Sequence, residues 1–237
     1  VCGKTDDVAA LQDLLVYLLK GIAVYGDKAR AYGVVDPEAD IFLVEGLFAT
    51  VTNVDFSQEH LTHLVRRALE LRDRLAEEFR RAYQEAHGHP FAESLPEMAT
   101  WVPADDSTDA LILEGRTVGI LADLEQDEDV RSLRELLTYG LKGMSAYLYH
   151  AHVLGYQKDE LFAFLHEGLA LAAQDAPDVD TLVRMALRCG EMGVKTMAQL
   201  DEANTTLFGH PEPTMVNLGV KPGPAILISG HDLRDLK

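Results

Sequence analysis

The feature that most restricts how this chain can fold is an internal repeat. Residues 7–25 and 129–147 align without a gap at an offset of 122, and ten of the nineteen positions are identical. They include Leu14 with Leu136, Tyr17 with Tyr139, Lys20 with Lys142 and Gly21 with Gly143. At the same offset Phe42-Leu43-x-Glu45-Gly46-Leu47 matches Phe164-Leu165-x-Glu167-Gly168-Leu169, and at an offset of 118 Leu64 to Leu69 matches Leu182 to Leu187. Sequence self-similarity at this spacing means one supersecondary unit used twice. Equivalent apolar positions should bury equivalent faces, so the pairs Gly21/Gly143 and Gly46/Gly168 are expected in equivalent environments. Glycine inside a helix costs up to about 1 kcal/mol against alanine, and its repetition points to close helix approach.

Each unit reads as three helices. Val8, Leu11, Leu14, Leu15, Leu18, Leu19, Ile22 and Tyr25 recur at i, i+3, i+4, i+7, the stripe of an amphipathic helix, with Asp6 and Asp7 at its positive end. Asp36-Pro37 has the form of an N-cap followed by proline in the first turn of a second helix. Ser57 caps a third, which runs to about Ala86, ends at Gly88 and offers Arg66/Glu70, Glu70/Arg74 and Glu77/Arg81 as i, i+4 pairs. The fold class expected is mainly α: two tandem three-helix bundles, then the first strand of an α/β domain that is cut off. The boundaries read as 1–104 for the first bundle with its linker, 105–217 for linker and second bundle, and 218–237 for the start of the α/β domain. The linker, Gly88 to Arg116, is rich in Pro and acidic residues and carries the only tryptophan, Trp101. The strand is Ala225 to Ile228, a continuous apolar run before Ser229-Gly230-His231-Asp232.

Charge narrows the functional classes. The 39 Asp and Glu against 21 Lys and Arg give −18, which repels phosphate backbones and anionic headgroups, so neither nucleic acid nor membrane is an expected partner. Val8 to Tyr25 is interrupted by Gln12, Asp13 and Lys20, costly groups in a bilayer core. Two cysteines make no disulfide scaffold and suit a reducing cytoplasm. Val1 is not an initiator Met and the last residues resemble a helix just begun, so the chain reads as a piece of a longer protein.

Several apparent sites weaken on their own chemistry. Asp123, Glu125, Asp127 and Asp129 alternate as in a calcium loop, but Glu128 stands where glycine is needed and Arg134 where a bidentate carboxylate is needed. His60 and His63 are one turn apart with no thiol or carboxylate completing a set. Cys189, among Leu182, Val183, Ala186 and Leu187, reads as a buried structural thiol. Cys2 precedes a capped helix, where amide groups can stabilise a thiolate, and is equally readable as a stray thiol near an end. His231 follows the strand at the carboxyl edge where α/β sheets place ligands, and there it is either a metal ligand or acid–base group or a cap of the next helix.

Five stretches carry a resemblance. Cys2-Gly3-Lys4, Asp7-Val8-x-x-Leu11-x-Asp13-Leu14-Leu15, Asp201-Glu202-Ala203-Asn204-Thr205, Gly209-His210-Pro211-Glu212-Pro213-Thr214-x-Val216-Asn217 and Gly223-Pro224-Ala225-Ile226-Leu227-Ile228-Ser229-Gly230-His231-Asp232-Leu233 are similar to the hybrid-cluster (prismane, hydroxylamine reductase) proteins. Nickel carbon monoxide dehydrogenases look like more distant relatives. The resemblance spans essentially the whole chain. It implies an N-terminal helical domain of two three-helix bundles followed by two α/β domains. It also implies two cofactors in the full-length parent. The first is a cubane iron–sulfur cluster on four N-terminal cysteines, of which Cys2 matches the last. The second is a hybrid iron–sulfur–oxygen cluster held by one histidine, two glutamates and four cysteines, with His231 matching the histidine. Neither cluster is expected complete in this chain. Implied further are reduction of hydroxylamine to ammonia or nitric oxide to nitrous oxide in nitrosative-stress defence, a small nitrogen oxide substrate, a redox donor protein, and the remainder of the same polypeptide as partner. The competing class is an acidic, all-helical interaction module without catalysis, which accounts for charge and repeat but leaves Ser229-Gly230-His231-Asp232 unexplained.

Overall fold

The computed structural model describes residues 3–51, 54–120, 122, 126–216 and 218–227. Helix α1, Asp6–Arg30, starts where the Thr5 hydroxyl accepts the Val8 amide at 3.3 Å and closes with Lys28 and Arg30 in its last turn, both charges complementing the helix dipole. Helix α2, Pro37–Ala49, is capped by Asp36, whose carboxylate accepts the Glu38 and Ala39 amides. Helix α3, Gln58–His87, is capped by Ser57 and stops at Gly88, whose φ of 75° lies in the left-handed region that glycine adopts without strain. The second unit repeats the order: α5 at Glu128–Val153, α6 at Asp159–Ala172 and α7 at Val179–Phe208. Asp127 caps α5 through the Asp129 and Val130 amides, the helix-start role expected of this acidic stretch over a calcium loop.

A mainly α fold is therefore present, and the stretch 88–116, expected to be a linker, contains a further helix. Thr108–Gly115 forms α4, started by Ser107, which accepts the Ala110 amide at 3.4 Å. Gly115 is where α4 meets α1, and a β-carbon there would lie 2.1 Å from the Ala10 carbonyl oxygen. The preceding stretch is irregular, with one 3-10 turn at Glu97–Ala99, and folds back over α1. Among the described residues there is no strand. Ala225, Ile226 and Leu227 are exposed and unpaired, because a single extended segment has no neighbour to take its backbone hydrogen bonds. Ile228 lies outside the described residues.

The two units share one apolar core that extends from Val8 to Met192. α1 packs on α3 and α5 on α7, while the middle helices cross over: α1 packs more extensively on α6 than on α2, and α2 more on α5 than on α3. α1 is consequently the central helix. It is long and apolar enough to cross a membrane by length and composition, with 78% of that apolar window buried by its neighbours. Its Gln12, awkward for an apolar environment, is satisfied by donating to the Asp55 carbonyl at 3.0 Å and the Ala49 carbonyl at 3.5 Å and accepting Lys4 Nζ at 2.5 Å.

The repeat is exact at one glycine pair and broken at the other. A β-carbon at Gly46 would meet the Leu19 methyls at 2.9 Å, and one at Gly168 would meet the methyls of Leu141, the repeat partner of Leu19, at 3.0 Å. Gly21 lies under the backbone of the returning linker, where a β-carbon would be 2.2 Å from the Met98 carbonyl oxygen, whereas Gly143 has nothing within 4 Å. The difference arises because the linker covers only the first unit. Likewise, none of the three i, i+4 pairs expected on α3 forms an ion pair. Arg74 and Arg67 instead reach Glu38 near the start of α2, Arg74 also binding Asp36, and Arg66 donates to the Asp106 carbonyl at 2.6 Å. Partners fixed by packing cost less side-chain entropy than two mobile residues on one exposed helix face.

Candidate functional site

The two residues singled out as ligands, Cys2 and His231, lie outside the described residues. Gly3 and Lys4, which follow Cys2 in the chain, lead directly into the capped start of α1, and Lys4 is tied down by Gln12. His60 and His63 are both exposed, and His60 Nδ1 pairs with Asp55 at 2.7 Å. Cys189 is buried as expected, its sulfur placed where a β-carbon on Gly140 would be 2.8 Å away, and burial pushes its thiol pKa up. A lone buried thiol of that kind is a packing group. Among the described residues no three His, Cys, Asp or Glu side chains are grouped to hold a metal ion.

What the fold does bring together is a cleft of about 380 Å³ between α1 and α5, closed at one end by Ala172 to Asp175 after α6. Its walls are built from the repeat itself. Asp13, Tyr17 and Lys20 of α1 face Glu135, Tyr139 and Lys142 of α5, each trio being the other displaced by 122 residues. One turn apart on each helix, these side chains project into the same space. Burial lowers the pKa of Lys20, with Glu135 the leading charge opposing that; burial likewise lowers Lys142, with Asp13 opposing. Burial raises the Asp13 pKa, and Lys142 pulls it back. The attractions are crossed, α1 lysine to α5 carboxylate and α5 lysine to α1 carboxylate, as a pseudo-twofold arrangement requires.

No ion pair within 4.0 Å joins these four charges among the described residues. The Asp13 carboxylate, on the open rim, rests against Gly119, where a β-carbon would come within 2.8 Å of it and where φ is +107°. Burial also raises the pKa of Tyr17, helped by the negative charge of the nearby Glu97. Lysines lowered and a carboxyl raised by the same desolvation can exchange protons closer to neutrality than their free counterparts. Lys20→Met is expected to raise stability at neutral pH by up to about 1 kcal/mol, since a charge is no longer desolvated. A lysine with lowered native pKa destabilises while charged and ceases to as pH rises through that pKa, so the gain should shrink as pH approaches 10.5. Chemical unfolding at several pH values checks this.

A second buried constellation was not legible in the sequence. His166 Nε2 donates to Asp40 Oδ1 at 2.8 Å, and Arg30 Nη2 binds both oxygens of Asp40 at 2.7 and 2.6 Å. His166 and Asp40 are 1% and 6% exposed. Burial alone would raise the Asp40 pKa; the hydrogen bonds from His166 and Arg30 outweigh it and lower the carboxyl below its usual value. Gly26 makes room for the imidazole, since a β-carbon there would be 2.1 Å from Nδ1. The available signal was an ionisable residue on each of two otherwise apolar helix faces, Asp40 and His166, and pairing them needs the tertiary structure.

Comparison with known proteins places the sequence in a family. Residues 1–237 match the Prismane/CO dehydrogenase family throughout. The chain is 52% identical over 237 residues to hydroxylamine reductase from Halothermothrix orenii and 51% identical over 237 residues to that from Desulfitobacterium hafniense. It is 48% identical over 236 residues to that from Nitratidesulfovibrio vulgaris. In each case all of the chain is covered but 42% of the relative, so the chain spans less than half the length of these proteins. With the match continuous from the first residue to the last, the chain belongs to the Prismane/CO dehydrogenase family.

Proposed function

We propose that these residues are the helical portion of an iron–sulfur oxidoreductase that reduces hydroxylamine to ammonia. The observation that carries this reading is the identity of about half of all residues, over the whole chain, with proteins named hydroxylamine reductase. In the reaction the N–O bond breaks, two electrons and two protons are taken up, and ammonia and water leave. A redox donor protein supplies the electrons. On nitric oxide the same two electrons and two protons join two molecules, forming an N–N bond and breaking one N–O bond to give nitrous oxide and water, and a cytoplasmic role in nitrosative-stress defence suits both reactions. The helical units alone are proposed to be inactive, with Cys2 as a ligand of an N-terminal cubane cluster and His231 as a ligand of a hybrid cluster in the full-length protein. Imidazole in place of a thiolate makes a cluster less electron-rich, and a second acceptor on the other ring nitrogen fixes its tautomer.

The full-length protein, purified without oxygen, tests this. It should contain iron and form ammonia from hydroxylamine with a chemical reductant. His231→Ala should abolish turnover and disturb the hybrid-cluster paramagnetic signal while leaving the cubane signal intact. Full activity and an unchanged spectrum in that variant would remove His231 from the ligand set. An iron-free wild-type protein would overturn the reading as a whole.

A further inference from the structure

We infer that the outer face of α5 and α7 is a docking surface for the part of the longer protein that lies outside these 237 residues. The internal repeat supplies its own control, because the same face of the first unit is covered in this structure. Leu14, Tyr25 and Phe79 are 0%, 1% and 1% exposed, and their repeat partners Leu136, Tyr147 and Met197 are 59%, 45% and 45% exposed. Ala76 is 3% exposed and its partner Val194 is 61% exposed, a position where the bare face has the larger apolar side chain. Leu187, the partner of the half-buried Leu69, is 72% exposed. Scattered exposed apolar residues are ordinary, but this set follows one face across two adjacent helices.

How the first face is covered shows what the second is shaped to receive. The linker crosses α1 with its backbone over the glycine and with apolar side chains beside it: the Met98 carbonyl sits over Gly21, held there by Arg72, while Trp101 packs edge-on against Tyr17 at 6.1 Å and Phe91 against Phe79 at 5.0 Å between ring centroids. The second unit keeps the glycine, as Gly143, and has nothing above it. On α7, Gly190 and Gly193 stand where α3 has Arg72 and Leu75, and they too face open space. Mid-helix glycines lower helix stability, so three of them on an otherwise apolar face form a track for close backbone approach. The occupant expected is an extended or turning segment with a carbonyl over Gly143 and apolar side chains against Leu136 and Leu187.

The source of that segment follows from length. Relatives about 50% identical carry this stretch as 42% of their chains, so more than half of each relative is available to cover the face. The apolar residues after α7, Met215, Leu218 and Val220, are also nearly fully exposed. The inference depends on the existence of the longer polypeptide and not on which reaction it performs.

Hydroxyl-radical footprinting of the full-length protein, together with lysine cross-linking, reads both the covering and its source. Tyr139, Tyr147, Leu187 and Met197 should be oxidised at least about fivefold more slowly than their accessibility in this structure predicts, calibrated on Val35 and Phe56. Cross-links from Lys142 and Lys195, which flank the face, should run within one molecule to lysines outside residues 1–237. Unslowed oxidation would overturn the inference. So would cross-links confined to Lys221, which would make the segment after α7 the occupant, or links between isotopically distinct copies, which would make the face a dimer contact. Reductase activity is measured separately, and its loss leaves these readouts unaffected.

Discussion

Asp40→Ala should lower the unfolding free energy by about 3 to 5 kcal/mol, because it strands Arg30 and His166 without the carboxylate that compensates both. The loss is large because the pair is buried: the Arg30 and Asp40 side chains are 13% and 8% exposed. Asp159→Ala, which removes the other partner of Arg30 at 2.7 Å, should cost less than about 1 kcal/mol, since Asp159 is 72% exposed and solvent screens it. Urea midpoints of the two variants separate the cases. The pH dependence has a definite sign. The folded pKa of Asp40 is depressed below the ordinary 3.8, so its contribution is complete above about pH 4 and disappears as pH falls through the folded value. The Ala variant should therefore lose less stability than the wild type below pH 4. A change of under 1 kcal/mol at pH 7 would mean that the network is not a buried, coupled unit.

Alanine at the two repeat-related glycines should act in opposite directions. At Gly21 the new β-carbon would lie 2.2 Å from the Met98 carbonyl oxygen, a backbone atom fixed by Arg72, so the linker must lift, at an expected cost of about 2 to 3 kcal/mol. At Gly143 the same methyl meets nothing, and the gain in helix propensity should stabilise this chain by up to about 1 kcal/mol. Thermal unfolding of both variants tests the pair together. Equal shifts of the same sign would show that the linker does not distinguish the two units. Trp101 fluorescence adds a local readout, since lifting the linker in Gly21→Ala moves the indole away from Tyr17.

Much of the helical framework was legible before the structure because its signals are local. Caps such as Asp36, Ser57 and the stop at Gly88 act within one turn, and the apolar period of α1 needs only the stretch 7–25. α4 is not legible in the sequence because eight residues between a Pro-rich stretch and a second loop give too short a period to stand out, although Ser107 carries the capping signal. The cleft was half legible: the alignment already paired Asp13 with Glu135, Tyr17 with Tyr139 and Lys20 with Lys142, but nothing in it states that α1 and α5 face each other.

The repeat and its helix starts and stops are properties of neighbouring residues, and a chain with this pattern has few alternatives to two sets of three helices. The crossing of α1 onto α6 and α2 onto α5, the burial of Asp40 with His166 and the covering of only one of two equivalent faces were decided at the tertiary level. Each depends on which surfaces meet, and a repeated sequence offers each helix two nearly equal partners. The choice falls to contacts 126 residues apart, as between Asp40 and His166, and to a linker present once between two copies of the same unit.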